Sequence, residues 1–402
     1  MSELYIGLMS GTSLDGVDGV LADFSQPLPR ILAFASQTFE ADLRQQLLSL
    51  NQSGANELHR AALAANQLAL VYASVVNELL RQSEIRPDQV HAVGAHGQTV
   101  RHQPGQFDGI GYTLQLNQPA LLAEQCGITV VADFRSRDIA AGGQGAPLVP
   151  PFHQAVFGAS ATIRNGTGGA DGTDGPYLAD LADLADLPDG PEGTTALLNL
   201  GGISNLTLFH AQRQDSLIGF DCGPGNVLLD TWCQQHTGAA YDAAGAWAAS
   251  GKVITALLSR WYADAYFSRP PPKSTGRDLF NREWLDTGLR GFESVAPQDV
   301  QATLAELTAQ CCAESLERFA PHCGQLLVCG GGAHNLHLMQ RLQQLLPHCQ
   351  VSDTGRYGIP PTQVEATAFA WLARQTMLGR PGNNSRVTGA RGPRILGAVY
   401  PR

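Results

Sequence analysis

The decapeptide Met9-Ser10-Gly11-Thr12-Ser13-Leu14-Asp15-Gly16-Val17-Asp18 holds three hydroxyl residues, two glycines and two acids. Gly11 and Gly16 let backbone N–H groups turn inward, and Ser10, Thr12 and Ser13 add hydroxyl donors. Such a donor set suits phosphate oxygens. Asp15 or Asp18 can hold a magnesium ion through water, because Mg²⁺ takes oxygen ligands and keeps most of its hydration. A plain turn built from turn-forming residues has the same composition. The run Leu200-Gly201-Gly202-Ile203-Ser204-Asn205 repeats the pattern in the other half of the chain. Two phosphate-type hairpins imply two related lobes facing one nucleotide.

Other residues offer different chemistry. Asp221 precedes Cys222-Gly223-Pro224-Gly225-Asn226. A carboxylate there can accept a proton from an attacking hydroxyl or water; it can equally be a cap or turn acid. Gly330, Gly331 and Gly332 follow an apolar run. Glycine lets a flat ring lie against backbone, and a helix N-terminus favours anions. His96, Gln98 and Thr99 present donors and acceptors suited to a sugar, or serve the structure. Arg135, Arg137 and Asp138 precede Gly142-Gly143-Gln144-Gly145, a dense polar loop in which an arginine fork can take a carboxylate. Pattern does not separate Arg135 from Arg137.

The elements that must position these residues alternate. Leu4–Leu8, Val17–Phe24 and Ile31–Phe39 read as a meander of strands. Leu58, Ala62, Ala65, Leu68, Tyr72, Val75 and Leu79 form one apolar helical face. Strands at Val90–Ala95 and Thr129–Ala132 flank a helix near Pro119–Gln125. The second half repeats the theme, with a strand at Leu217–Phe220 delivering Asp221 at its end. Helices are expected at Asn226–Gln235, Ala243–Leu258, Pro297–Phe319 and Asn335–Leu346, and another begins at Pro360–Trp371 carrying Glu365. The fold class is α/β, with mixed sheets flanked by helices and a ligand cleft between lobes. The expected division is 1–145 for the first lobe, then 146–157 and 194–375 for the second. Residues 376–402 form a tail without an assigned place. Residues 158–193, rich in Gly, Asp, Ala and Thr, read as an insertion without a core.

The bulk numbers exclude several classes. A formal charge of −10 over 402 residues, with no Lys/Arg-rich block, argues against nucleic-acid and anionic-membrane partners. No continuous apolar run reaches bilayer-spanning length, and no signal segment precedes the first strand. The eight cysteines lack CxxC or zinc-finger spacing, which points to free thiols in a cytoplasmic setting. No GxxxxGK[ST] loop, kinase HRD or DFG set, or HExxH site occurs.

The stretches Met9–Asp18, Gly94–Thr99, Asp133–Pro150, Gly219–Asn226 and Cys329–Asn335 closely resemble the anhydro-N-acetylmuramic acid kinase family, over nearly the whole chain. That family sits in the actin/hexokinase/Hsp70 ATPase superfamily. The resemblance implies an actin-like, ribonuclease H-like fold and Mg²⁺–ATP as phosphoryl donor. The implied reaction opens 1,6-anhydro-N-acetylmuramic acid to N-acetylmuramate 6-phosphate, in peptidoglycan recycling. It also implies Asp221 as general base, Gly330–Gly332 as adenosine site, Arg135 or Arg137 on the lactyl carboxylate and Glu365 on the sugar. A cytoplasmic homodimer follows from it as well. Alternatives are a kinase for another sugar, or an actin- or Hsp70-like ATPase acting on a protein. The 158–193 insertion departs from the family pattern.

Overall fold

A computed structural model describes residues 2–11, 14–165, 194–210 and 213–402. Thr12, Ser13 and most of the expected insertion, residues 166–193, lie outside the described residues. The strands are β1 (Leu4–Met9), β2 (Gly16–Asp23), β3 (Arg30–Thr38), β4 (Ala92–Ala95), β5 (Gln98–Pro104), β6 (Gly111–Leu116) and β7 (Val130–Ala132). They continue with β8 (Thr194–Leu200), β9 (Ile203–His210), β10 (Arg213–Pro224), β11 (Gln325–Cys329), β12 (Gln350–Asp353) and β13 (Ala398–Tyr400).

Both large sheets have one wiring. The first runs β3-β2-β1-β4-β7 with β13 at the edge, and the second runs β10-β9-β8-β11-β12. In each, three antiparallel strands precede two parallel ones. This duplicated order is the two-lobed, actin-like architecture. It puts the β1–β2 and β8–β9 turns at equivalent places. The inner parallel strands β4, β7 and β11 are short apolar runs buried on both faces, as parallel sheets require.

Helix Glu57–Ser83 buries Ala64, Leu68, Tyr72, Val75, Val76 and Leu79 in the first lobe. By length and composition it is apolar enough to cross a bilayer, which the search for continuous apolar runs does not show. Its apolar stripe is spent on the core of the first sheet.

Several expectations need correction. Helix Val364–Met377, assigned to the second lobe, lies across β1 and β4 of the first. Gly7 and Gly94 make this possible: a Cβ at either would collide with the helix backbone at Ala366 or Phe369. The unplaced tail returns to the first sheet, where β13 pairs antiparallel with β7. Helix Pro150–Asn165 continues through residues 158–165, which sequence assigns to the insertion. The helix expected over Ala243–Leu258 is broken between Ser250 and Thr255. There Lys252 N–H donates to Asp299 Oδ1 (2.8 Å) and Ile254 N–H to Thr303 Oγ1 (3.0 Å), replacing helical bonds.

Candidate active site

A cleft of about 1130 Å³ separates the lobes. Its walls include Gly11, Leu14, Asp15 and Gly16 from the first hairpin, and Gly201, Gly202 and Asn205 from the second. Gly330, Gly331, Gly332, His96, Gln98, Thr99, Arg135, Asp221 and Glu365 line the same cleft. Residues distant in sequence therefore share one space.

The first hairpin is held in a costly conformation. Leu14 has φ +58°, a left-handed value rare for a branched side chain. Its carbonyl accepts from Arg44 Nε (3.0 Å), and Phe39 N–H donates to Asp15 O (3.0 Å). On the second hairpin, Asn226 N–H donates to Gly201 O (2.8 Å) and Val227 N–H to Gly202 O (3.1 Å). The start of helix Val227–Thr237 is thereby seated on the turn. Of the three glycines, Gly330 and Gly332 allow contact with Leu200, whereas a side chain at Gly331 would meet open space. Two serve packing and one leaves an open floor.

Asp221 does not end its strand. It lies inside β10 at a register shift between Asp221 and Gly223, where Cys222 is the extra residue. The bulge turns Asp221 into the cleft and sends the Cys222 thiol into the core. Asp221 Oδ2 accepts from Thr275 N–H (2.9 Å), its N–H donates to Lys273 O (3.1 Å), and its carbonyl accepts from Tyr266 Oη (2.8 Å). Burial pushes its carboxyl up to about 7, against the Thr275 hydrogen bond and the charges of Arg135 and Lys273.

Arg135 is the cleft-facing arginine; Arg137 is exposed and absent from the walls. Arg135 Nη1 donates to Gly145 O (2.8 Å), while Nε (3.2 Å) and Nη2 (2.9 Å) donate to His96 Nε2. Since Nε2 accepts, His96 Nδ1 carries the proton and donates to Ser10 O (3.3 Å). Burial, with the Arg135 charge, holds His96 far below its usual range, so the ring is neutral. His96 thus aims Arg135 with both ring nitrogens engaged.

Ser10, expected at the sugar, lies behind the wall: its hydroxyl bonds Tyr72 Oη (2.9 Å) and Gly97 O (3.1 Å). Ser204, expected at the nucleotide, is likewise buried and donates to Gly223 O (3.0 Å). Both hydroxyls pin turns. Gln98 Nε2 donates to Gly11 O (3.0 Å), leaving its Oε1 without a protein partner. Asn199 and Asn205, opposite each other across β8 and β9, also keep unpartnered Oδ1 atoms. Burial raises Glu365, which an Asn199 hydrogen bond counters.

Sequence reasoning misses Thr275, Arg277, Asp230 and His102, all lining the cleft. The polar loop Lys273-Ser274-Thr275-Gly276-Arg277 is the visible signal for two of them. Burial pushes Asp230 up to about 7, against the Arg277 charge; Asp15 and Asp242 push it the same way. Asp18 is raised by burial and by Asp15. No three acid, histidine or cysteine side chains converge as a metal cage among the described residues.

The family model for anhydro-N-acetylmuramic acid kinase matches residues 3–169 and 168–402. This chain belongs to the anhydro-N-acetylmuramic acid kinase family. A relative of that name from Albidiferax ferrireducens is 54% identical over 422 residues, covering 100% of both chains. One from Variovorax paradoxus is 54% identical over 402 residues, covering 99% of each. One from Cupriavidus metallidurans is 52% identical over 404 residues, covering 100% of this chain and 98% of the relative.

Proposed function

We propose that this kinase couples ATP to the opening of 1,6-anhydro-N-acetylmuramic acid, yielding N-acetylmuramate 6-phosphate and ADP in peptidoglycan recycling. The observation that carries the reading is Asp221: a buried acid in the cleft, near half-ionised at neutral pH, held by Thr275 and facing the Arg135 charge. A general base works best with a pKa near the operating pH.

The substrate has no free O6, because O6 is tied to C1 in an internal acetal. Asp221 takes a proton from water as it adds to C1. The C1–O6 bond breaks, and O6 attacks the γ-phosphorus, releasing ADP. Phosphorus replaces the proton that a departing oxygen would otherwise need, so no separate general acid is required. Arg135 has two N–H groups beyond its three bonds for the lactyl carboxylate. Gln98, Thr99 and Glu365 face the sugar. The two hairpins hold the phosphates and Gly331 floors the adenosine.

The donor set fits magnesium. Asp15, Asp18 and Asp230 offer carboxylate oxygens to one cleft, and burial first, then the Asp15 charge, raises the proton affinity of Asp18 and Asp230. Without a cage the ion would keep most of its water. When bound it neutralises charge on the β- and γ-phosphates. Action in the cytoplasm as a homodimer belongs to the same reading, through family membership alone.

Run in H₂¹⁸O, the reaction places label on the C1 hydroxyl and none in the phosphate. Label in phosphate would mean attack on phosphorus by water and would end the coupled scheme.

A further inference from the structure

Only two of the chain's 26 basic Lys and Arg side chains are lysines, Lys252 and Lys273. Lys252 is exposed, whereas Lys273 is buried. A buried ammonium is costly unless its charge is met. No ion pair within 4 Å meets it among the described residues. Its Nζ instead contacts Tyr266 O (3.4 Å) and lies 4.7 Å from the Tyr266 ring centroid and 5.8 Å from that of Phe220. Aromatic faces attract a cation at such range.

These surroundings all belong to the candidate base. Phe220 precedes Asp221, and Tyr266 Oη donates to Asp221 O. The Lys273 carbonyl accepts from Asp221 N–H, and Thr275, two residues on, donates to Asp221 Oδ2. The loop therefore grips Asp221 by backbone and side chain while bringing one buried cation beside it.

We propose that Lys273 is a positioning residue for the reaction, whose caged ammonium keeps the Asp221 carboxylate ionised while substrate is bound. This deepens the assignment of Asp221 as base and rests on it.

The charged and titratable groups around Asp221 come from both lobes. Arg135 and Lys273 favour its ionised form, and Asp278 opposes it. Tyr266 stays a neutral phenol and Cys222 a neutral thiol, both raised first by burial. Around Lys273 itself, burial and Arg318 disfavour the charge, while the Asp221 carboxylate favours it. The two helpful cations differ in kind. Arg135 lines the cleft, so a sugar carboxylate bound there spends its field. Lys273 does not line the cleft, and its field persists in the loaded enzyme.

The test is kcat against pH from 5.5 to 9, with ATP and the anhydro sugar saturating, for the parent, Lys273→Met, Lys273→Arg and Asp221→Asn. Lys273→Met is expected to move the acid limb up by about one pH unit, the lower end of what a neighbouring opposite charge is worth. Turnover then falls roughly tenfold at pH 6.5 and recovers toward pH 9. Lys273→Arg keeps the limb near its parent position. If Lys273→Met does not fold, Lys273→Gln carries the same test, since its amide retains a donor for the Tyr266 carbonyl. An unmoved limb, a loss equal at every pH, or an arginine variant as shifted as the neutral ones would overturn the proposal. Failure of the underlying base assignment looks different: Asp221→Asn would keep turnover, or the parent would show no acid limb.

Discussion

Asp221→Asn should disable the enzyme and stabilise it. Burial moves the Asp221 carboxyl from 3.8 to about 7 in the folded chain. Between those values the folded state holds a proton that the unfolded state has released. Stability therefore falls as pH rises through this window. Each pH unit is worth about 1.36 kcal/mol, so the full displacement costs roughly 4 kcal/mol above pH 7. Asparagine removes the titration and keeps an oxygen for the Thr275 N–H. Urea unfolding of parent and variant at pH 4, 6 and 8 isolates this one group, because every other titration is common to both. The variant should gain little at pH 4 and become the more stable by a few kcal/mol at pH 8. Turnover should meanwhile drop by roughly 10²–10⁴, the usual worth of a positioned base. A stability difference that is absent at pH 8, or that does not change with pH, would refute the reasoning.

Two further perturbations test other parts of the argument. Gly94→Ala drives a methyl into the backbone of helix Val364–Met377 at Phe369 and should destabilise by about 1–3 kcal/mol, read from the urea midpoint; a neutral result would mean this helix does not lie against β4. Asp15→Ala should raise the Mg²⁺ concentration needed for half-maximal turnover, measured by ADP release; an unchanged titration would move the role to Asp18.

Much of the fold could be read because its signals are local. Runs such as Leu4–Leu8 and Val17–Phe24 are short, apolar and bounded by small residues, and they become β1 and β2 with small changes at the ends. Pro297–Phe319 starts with proline and ends where its apolar periodicity stops, and the helix has those bounds. The paired Gly/Ser turns are informative because each lies between two such strands. Their equivalence in the two sheets is topological, yet the repetition of wording already signals it.

The remainder depends on contacts that no local pattern encodes. The pair Arg135 and Arg137 is chemically symmetric until one turn of helix points the first at His96 and the second at solvent. Ser10 and Ser204 have the right chemistry in the right loops, but Tyr72 and Gly223 claim their hydroxyls from behind. Helix Val364–Met377 reads as a continuation of the second lobe because pattern carries no information on where a chain returns. Its place is set by the glycines of β1 and β4, far away in sequence. Asp138 illustrates the same physics at the site's edge. Its buried carboxylate accepts from Gly145 N–H (2.8 Å), Asn383 Nδ2 (2.6 Å) and Thr388 Oγ1 (2.7 Å). One acid thus ties the C-terminal segment to the loop whose Gly145 carbonyl fixes Arg135. The charge facing Asp221 across the cleft is therefore aimed by residues near both ends of the chain, and lobe geometry and base ionisation become one coupled property.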